Sequence, residues 1–235
     1  MTLPAAIILA GGKATRLYPL TKEIAKAMID INGEPFIYHQ LKMLKEKGVS
    51  KVVICAGYLG ESIKNLVRNG ESYNVDVKYS FDGDKLLGTG GAVKKAVALA
   101  GDEFFVMYGD SYFDLDLHGI YSDFKKSGKD ALMVIIKNEN RWDKSNVVFE
   151  NGDLIEYSKT KHSKKMKYID YGLAVLKSSV LDDLPEGEAF DLADIYSKLV
   201  KEKRMIGYEA SERFYEIGSP DGLEETKKFI AGGSK

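Results

Sequence analysis

AAIILAGGKATRL, residues 5–17, is the most informative segment of this 235-residue chain. Its first part, Ala5–Ala10, is a short and continuous apolar run, which is typical of a strand buried in a parallel sheet. Gly11 and Gly12 end that run and begin a polar loop. A buried strand that ends in a glycine loop predicts an α/β unit in which a ligand binds at the end of the strand.

Strand and helix patterns alternate along the first half of the chain. Further strands are predicted at Lys51–Ala56, Val75–Tyr79 and Glu103–Tyr108. Helices are predicted at Glu34–Lys47, Glu61–Arg68 and Gly91–Ala100. The alternation implies right-handed crossovers and a doubly wound, mostly parallel mixed sheet of the Rossmann-like type. Three of the predicted strands end in glycine, and Asp110 follows one of these glycines, so a ligand site is expected at the carboxyl ends of the strands.

The second half of the chain carries shorter and more varied elements. A hairpin is predicted around the turn-favouring pair Asn151-Gly152, and the basic run Lys159–Lys167 predicts an exposed loop. The predicted strands are Ala131–Lys137, Asn146–Glu150, Leu154–Tyr157, Tyr168–Leu176 and Phe214–Ile217. The predicted helices are Asp191–Val200 and a terminal helix at about 220–230. No repeat or linker interrupts this pattern, so we expect one domain over residues 1–235.

The composition excludes several functional classes. Lysine and arginine number 34 against 35 acidic residues, and this net charge of −1 argues against a nucleic-acid binder with a broad basic surface. The single cysteine, Cys55, excludes an internal disulfide, and three histidines without ligand spacing disfavour a histidine-built zinc site. No apolar run is long enough to span a bilayer and no basic leader begins the chain, so we expect a cytoplasmic protein without a membrane partner.

The glycine loop after the first predicted strand suits an anion. Glycine lets backbone N–H groups approach phosphate oxygens closely, and Arg16 adds a rigid fork of donors. The spacing matches neither a P-loop nor the Gly-x-Gly-x-x-Gly of dinucleotide-binding proteins, which disfavours a nicotinamide-dependent dehydrogenase. An ordinary strand-to-helix turn would also favour glycine, and two glycines alone favour that interpretation over an anion site.

Together with the segments that follow it, this loop resembles the signature of the sugar-phosphate nucleotidylyltransferases. The matching segments, in family order, are Leu9–Leu17, Pro19–Thr21, Ala25–Met28, Asn32–Ile37, Leu87–Ala92, Tyr108–Asp110 and Phe214–Pro220. They extend over nearly the whole chain, and they look most like the branch that contains D-glycero-D-manno-heptose 1-phosphate guanylyltransferases. The resemblance implies a glycosyltransferase-A-like fold and transfer of a nucleoside monophosphate from a nucleoside triphosphate to a sugar 1-phosphate, with release of pyrophosphate.

The resemblance also implies roles for individual residues. Arg16 would hold the β- and γ-phosphates, and Lys26 would stabilise charge at the α-phosphate. Asp110 and Glu216 would bind Mg²⁺, which takes carboxylate and phosphate oxygens together. Without the resemblance, Asp110 could equally cap a turn and Glu216 could be a surface charge on an edge strand.

Two further groups follow from the resemblance, one for each substrate. The nucleotide-binding residues would be Leu9, Ala10, Gly11, Gly12, Thr15, Gly88, Thr89 and Gly90. The sugar-phosphate-binding residues would be Lys159, Asp170, Tyr171 and Gly172. Residues of about 1–128 would then form the nucleotide-binding part of the domain, and about 129–220 the sugar-binding part. The alternatives are that Lys159 is a solvated lysine and that the glycines around Thr89 begin an ordinary helix.

Four positions depart from the family pattern. Ala14 replaces a loop glycine, which is tolerable if its φ is negative and costs stability if its φ is positive. Ala25 replaces the proline before the family lysine, Ser158 replaces a glutamate, and Glu216 replaces an aspartate that is shorter by one methylene. These departures leave open which base and which sugar the chain takes, and whether uridylyl, thymidylyl or cytidylyl transfer replaces guanylyl transfer.

A non-catalytic homologue that binds a nucleotide-sugar is the alternative from another functional class, because fold alone does not establish activity. The presence of Arg16, Lys26 and Asp110 favours the enzyme. Because the motifs extend from Gly11 to Pro220, we expect the catalytic domain to account for the chain, without the appended acyltransferase or left-handed β-helix domain of longer family members. The oligomeric state is left open, and a homo-oligomer is compatible with the sequence.

Overall fold

A nine-stranded mixed sheet forms the centre of the structure, a computed structural model that describes residues 2–232. In chain order the strands are β1 (Ala5–Leu9), β2 (Asp30–Ile31), β3 (Glu34–Pro35), β4 (Lys51–Ala56), β5 (Asp76–Phe81), β6 (Glu103–Tyr108), β7 (Ser111–Tyr112), β8 (Ala131–Lys137), β9 (Val147–Glu150), β10 (Asp153–Tyr157), β11 (Tyr168–Lys177), β12 (Met205–Glu209) and β13 (Tyr215–Glu216). The helices are α1 (Phe36–Glu46), α2 (Gly60–Val67), α3 (Gly88–Ala100), α4 (Leu117–Ser127), α5 (Leu192–Lys201) and α6 (Pro220–Gly232).

The large sheet joins a parallel part to an antiparallel part. Its strand order is β10-β9-β11-β6-β1-β4-β5, and β8 pairs with both β11 and β12. Strands β6, β1, β4 and β5 are mutually parallel, whereas β11 runs antiparallel to β6, β8 and β9. The predicted α/β fold class with a doubly wound mixed sheet is confirmed, and one sheet connects the two halves of the chain.

Helices cover both faces of this sheet and make two apolar layers. Along β1, Ile7 contacts the layer under α3 and α5, and Ile8 contacts the layer under α1, α2 and α4. Both isoleucines are fully buried, which stabilises the fold by about 1.5–3 kcal/mol each relative to exposed side chains. Burial on both faces explains why this strand reads as a continuous apolar run.

Several elements differ from their predicted bounds or were not predicted. Strands β2, β3, β7 and β12 and helix α4 were missed, β5 continues to Phe81, and α3 begins at Gly88. The helix predicted from Glu34 begins only at Phe36, because Glu34 and Pro35 pair with β2. The hairpin turn is confirmed: Asn151 and Gly152 have φ values of 53° and 89°, the left-handed pair that a tight hairpin requires. Among residues 2–232, no helix is both long and apolar enough to cross a membrane.

Candidate active site

A cleft opens at the carboxyl ends of β1, β4 and β6, where the sequence predicts a ligand site. Backbone of the glycine loop forms one wall, and the start of α3 forms another. The cleft is lined by Leu9, Ala10, Gly11, Gly12, Lys26, Ala27, Cys55, Asp82, Leu86, Gly88, Thr89, Ala92, Tyr108, Gly109 and Asp110. Six of the eight residues predicted to bind the nucleotide therefore line this cleft, and Thr15 and Gly90 do not.

The loop of residues 11–16 offers unpaired amides. Within the described chain, none of its six backbone N–H groups donates a hydrogen bond, although the loop is held by bonds to the Ala14 carbonyl. That carbonyl accepts from Leu17 N at 3.0 Å and from Thr21 Oγ1 at 2.8 Å. Consecutive amides without internal partners form a site that suits phosphate oxygens.

Ala14, which stands where the family pattern has a glycine, adopts a left-handed backbone conformation. Its φ is 50° and its ψ is 47°. A Cβ in this conformation is strained, so a glycine would fit this position with less strain. Ala25, by contrast, has φ −59° and ψ 139°, which are values that proline also adopts, so the second departure preserves the backbone geometry.

Three charged side chains converge on Gly218, at the point where the C-terminal motif meets the end of β6. A Cβ on Gly218 would lie 2.5 Å from Glu216 Oε2, 3.0 Å from Asp110 Oδ2 and 3.2 Å from Arg16 Nη2. Pairing of β13 with β7 places Glu216 opposite Ser111, and Ile217 N donates to Asp110 O at 3.0 Å. The structure therefore brings these three predicted residues together, and only glycine leaves room for them.

Lys26 completes this cluster from the other side. Its Nζ lies 2.6 Å from Asp110 Oδ2, and the two side chains are 20% and 22% exposed. Lys26 begins a short 3-10 turn, Lys26–Met28, whose Ala27 is buried against the sheet. The buried turn holds the lysine at the cleft, so its ammonium group is positioned before any ligand arrives.

The longer side chain of Glu216 is accommodated by folding back onto its own segment. One carboxylate oxygen accepts from Ser219 Oγ at 2.6 Å, and the other accepts from the Gly218 amide. Oxygen atoms of Asp110 and Glu216 fit a hard cation such as Mg²⁺ in their chemistry. Within residues 2–232 no three acidic, histidine or cysteine side chains gather into a metal cage, so phosphate oxygens and water would complete the coordination.

The predicted sugar side of the site contains a second ion pair. Lys159 Nζ lies 2.5 Å from Asp191 Oδ2, and Thr89 Oγ1 donates to Asp191 Oδ1 at 2.9 Å. Asp191 also caps α5 by accepting from Ala193 N at 3.0 Å. Burial alone would raise the pKa of Asp191, but its hydrogen bonds from Lys159, Ala193 and Thr89 lower it.

Asp170 lies near this pair in a desolvated environment. Burial raises the pKa of its carboxyl to about 6, against the lowering effects of Gly172 N, the Tyr157 hydroxyl and the charge of Lys159. Gly172 N donates to Asp170 Oδ1 at 2.9 Å. Gly172 has a φ of 82°, and a Cβ there would lie 2.8 Å from the Tyr108 ring. The two β11 residues therefore lie beside the end of β6, on the side of β6 away from β1 and its glycine loop.

Six of the twelve residues predicted to bind the two substrates do not line this cleft: Lys159, Asp170 and Gly172 of the sugar side, and also Thr15, Gly90 and Tyr171. The Tyr171 ring is 1% exposed and packs against Phe113 and Phe214 in the opposite apolar layer, because neighbours along β11 point to opposite faces. Gly90 is covered by the Phe190 ring, so its lack of a side chain serves packing instead of nucleotide contact. The Thr15 side chain is exposed and does not line the cleft.

Two residues of the site were missed by sequence reasoning. Asp82 lines the cleft directly after β5, and it would have been recognised as a strand-end residue had that strand been predicted to continue to Phe81. Asp191 carries a clear helix-start signal, since an aspartate precedes an apolar helix. Its contact with Lys159, 32 positions away, has no signal in the sequence.

The chain matches known proteins in sequence and in fold. The family model described as nucleotidyl transferase matches residues 5–232. The D-glycero-alpha-D-manno-heptose 1-phosphate guanylyltransferase of Campylobacter jejuni is 30% identical over 217 residues, which are 92% of this chain and 95% of that protein. A protein of the same name from Aneurinibacillus thermoaerophilus is 27% identical over 95% of this chain and 96% of its own length.

A solved structure shares the fold. It is from Bacillus anthracis, is described as a glucose-1-phosphate thymidylyltransferase, and matches with a TM-score of 0.87 at 23% identity. The match covers 98% of this chain and 96% of that one.

Proposed function

Since the chain belongs to the nucleotidyl transferase family, we propose that it transfers a nucleoside monophosphate from a nucleoside triphosphate to a sugar 1-phosphate. The observation that carries this proposal is the convergence of Arg16, Asp110 and Glu216 on Gly218, beside the unpaired amides of residues 11–16. A polyphosphate needs both kinds of group: amides and a guanidinium for its oxygens, and carboxylates for the cation that accompanies it.

The reaction needs positioning and charge, but no protein nucleophile. A phosphate oxygen of the sugar 1-phosphate attacks the α-phosphorus in line, and the bond from that phosphorus to the bridging oxygen of the β-phosphate breaks. Pyrophosphate leaves with the electron pair of that bond. We assign Lys26 to the α-phosphate, where its charge stabilises the transition state, and Arg16 to the leaving pyrophosphate.

Asp110 and Glu216 are the residues that would hold Mg²⁺. When bound, the cation would neutralise phosphate charge that the two basic residues do not reach. Lys26 forms an ion pair with Asp110 and so keeps that carboxylate oriented toward the cleft. Ser219 Oγ and the Gly218 amide do the same for Glu216.

The sugar 1-phosphate is assigned to the region of Lys159 and Asp170. Lys159 would bind the phosphate, and Asp170, with the backbone of Gly172, would contact the sugar. This assignment divides the domain as the sequence predicts, with residues of about 1–128 on the nucleotide side and about 129–220 on the sugar side. Strands β6 and β11, one from each part, are neighbours in the sheet, which supports a reaction centre between the two parts.

The finer proposal is guanylyl transfer to a heptose 1-phosphate. It is supported by the names of the two relatives, which match almost their full length. Overall identities of 30% and 27% do not fix the sugar, so the sugar is tested directly.

The deciding experiment is a screen for pyrophosphate release in which GTP, UTP, dTTP, CTP and ATP are each combined with a panel of sugar 1-phosphates that includes a heptose. We expect release with at least one pair, in the presence of Mg²⁺, and its loss when EDTA is added. The Asp110→Ala variant serves as the inactive control. No release with any pair would contradict the enzyme and favour a nucleotide-sugar-binding homologue.

A further inference from the structure

One polar side chain interrupts the buried face of α1. The face is otherwise apolar and includes Phe36, Ile37, Leu41 and Leu44. Gln40 stands between them at helical spacing and has no exposed surface. An apolar side chain at this position would keep the face continuous and would avoid the cost of taking an amide out of water. A buried amide at such a position therefore calls for a specific role.

The amide nitrogen of Gln40 reaches the backbone on both sides of Asp110. Its Nε2 donates to Ser111 O at 2.9 Å and to Tyr108 O at 3.4 Å. Both neighbours are carbonyl oxygens, which only accept hydrogen bonds, so the side of the amide that faces them is its NH₂ group. The side chain thus spans the turn Gly109-Asp110 and connects the residue before it with the residue after it.

The other polar atom of this amide, Gln40 Oε1, has no partner. It is buried and accepts no hydrogen bond from any described residue. An unpaired buried oxygen costs free energy, which an apolar side chain would avoid. The two bonds of the nitrogen, and not the packing of α1, therefore explain the presence of glutamine here.

The turn that Gln40 spans carries one of the two carboxylates assigned to Mg²⁺ and lies next to the other. Ser111 pairs with Glu216 where β7 meets β13. Among the side chains of residues 2–232, only that of Gln40 forms hydrogen bonds with backbone atoms of residues 108–111. A shift of the Ser111 carbonyl would therefore displace both Asp110 and Glu216.

We propose that Gln40 is a positioning residue of the metal site: it holds the Asp110 turn, and through Ser111 the strand that carries Glu216, in the geometry that the cation requires. This inference rests on the proposed function, because that function assigns the two carboxylates to Mg²⁺. Gln40 does not line the cleft, so it acts through the backbone of the turn.

Terbium(III) probes this site without turnover. It is a hard cation that takes oxygen ligands, as Mg²⁺ does. Nearby tyrosines sensitise its emission, and Tyr108 and Tyr215 lie in the two segments that carry the carboxylates. The Asp110→Ala variant gives the signal from other sites, which is subtracted. Gln40→Met keeps the length of the side chain without its donors, so the dissociation constant of terbium should rise about tenfold.

A loss of stability alone should not have this effect. Leu44→Val is the matched control, because Leu44 is buried one turn further along α1, on the way to β4, and loses a methylene there. Its unfolding temperature should fall while its terbium affinity stays at the wild-type value. Gln40→Asn keeps an amide on a shorter stem that cannot hold both carbonyls, so its affinity should lie between those of wild type and Gln40→Met.

Wild-type terbium affinity in a folded Gln40→Met variant would overturn the inference, and so would an equal loss of affinity in Leu44→Val. If Gln40→Met does not unfold cooperatively, Gln40→Asn decides by the same criterion.

The Mg²⁺ dependence of turnover gives a second readout. In Gln40→Met the Mg²⁺ concentration for half-maximal turnover should rise by about the same factor as the terbium dissociation constant. The kcat at saturating Mg²⁺ should change much less, because bound cation restores the geometry. A fall in kcat with an unchanged Mg²⁺ requirement would contradict the inference.

Failure of this inference and failure of the proposed function are distinguishable. A chain that loses terbium affinity in Gln40→Met but releases no pyrophosphate with any substrate pair would overturn the proposed function alone. A chain that releases pyrophosphate while Gln40→Met keeps the wild-type terbium affinity would overturn the role of Gln40 and leave the proposed function intact.

Discussion

Two lysine–aspartate pairs border the cleft, and they differ in how far water reaches them. Lys26 and Asp110 are 20% and 22% exposed, whereas Lys159 and Asp191 are 52% and 37% exposed. Solvent screening reduces an exposed ion pair to about 0–1 kcal/mol, so Lys159 leaves its partner at little cost. The sheltered pair is held more firmly, because neither charge is well solvated without the other.

The partners of the two aspartates extend this contrast. Asp191 also caps α5 and accepts from Thr89, so two of its bonds do not depend on Lys159. Asp110 shares its small space with Glu216 and Arg16 around Gly218, so a change in any of them affects the others. We infer that the first pair is preorganised for the transfer step and that the second exchanges its partner when the sugar phosphate binds.

The largest effect is expected from Lys26→Ala. Loss of a preorganised positive charge at the reacting phosphate should lower kcat about 10²- to 10³-fold while the chain stays folded. Steady-state kinetics and a thermal unfolding curve measure the two properties. Lys22→Ala, in the preceding exposed turn, is the control and should retain normal turnover. Near-normal kcat in the Lys26 variant would remove the proposed difference between the two pairs.

Lys159→Ala should act on binding. Removing one charged hydrogen bond to the sugar phosphate is expected to raise its KM by about tenfold or more and to change kcat much less. Lys161→Ala, an exposed lysine of the same loop, is the matched control. If kcat instead falls as far as it does in Lys26→Ala with KM unchanged, both lysines act in the transfer step, and the proposed difference between the two pairs is wrong.

Asp170→Asn tests the environment of Asp170, near the Lys159–Asp191 pair, through the pH dependence of stability. The folded chain holds the Asp170 proton more tightly than the unfolded chain, because burial raises its pKa from 3.8 to about 6. Its contribution to the free energy of unfolding is therefore fully present below 3.8 and is lost as the pH rises through about 6.

The Asp170→Asn variant should consequently be more stable than wild type above pH 6, by roughly 3 kcal/mol, with the difference vanishing near pH 4. Denaturant unfolding at a series of pH values measures this. Asp153→Asn, an exposed position in β10, should show no such trend. A constant difference across the series would show that Asp170 ionises normally.

The smallest effect is expected from Ala14→Gly, at the loop beside the sheltered pair. Relief of the left-handed φ of 50° should stabilise the chain by about 0.5–1 kcal/mol. Ala25→Gly is the control: its φ of −59° is unstrained, so glycine there should only destabilise the chain. A loss of stability in both variants would show that the strain at Ala14 is negligible.

Much of the fold could be predicted because its signals are local. The buried strands β1, β4, β6 and β8 are apolar runs bounded by glycine or polar residues, and they were found within a residue of their bounds. Strand β12 was missed because it is short and contains Gly207, which fits closely against Phe149. Helix α4 was missed although Asp116 caps it, since Gly119 weakens the helical pattern.

The site was only partly predictable for a related reason. Arg16, Lys26 and Asp110 belong to short motifs next to strand ends, which sequence can locate. Tyr171 and Gly90 lie in motifs as well, but the direction of a β11 side chain and the position of the Phe190 ring depend on contacts from elsewhere in the chain. Asp82 belongs to no motif, so only its position in the cleft identifies it.

The amino-acid sequence alone established the alternation of strands and helices and located the glycine loop at residues 11–16, because periodicity and glycine spacing are properties of neighbouring residues. Tertiary structure alone established which distant charges share a site. Pairing of β13 with β7 brings Glu216 to Asp110, and the strand order places Asp82 at the opposite end of the same cleft. Long-range pairing is set by the packing of the whole sheet, and no local pattern encodes it.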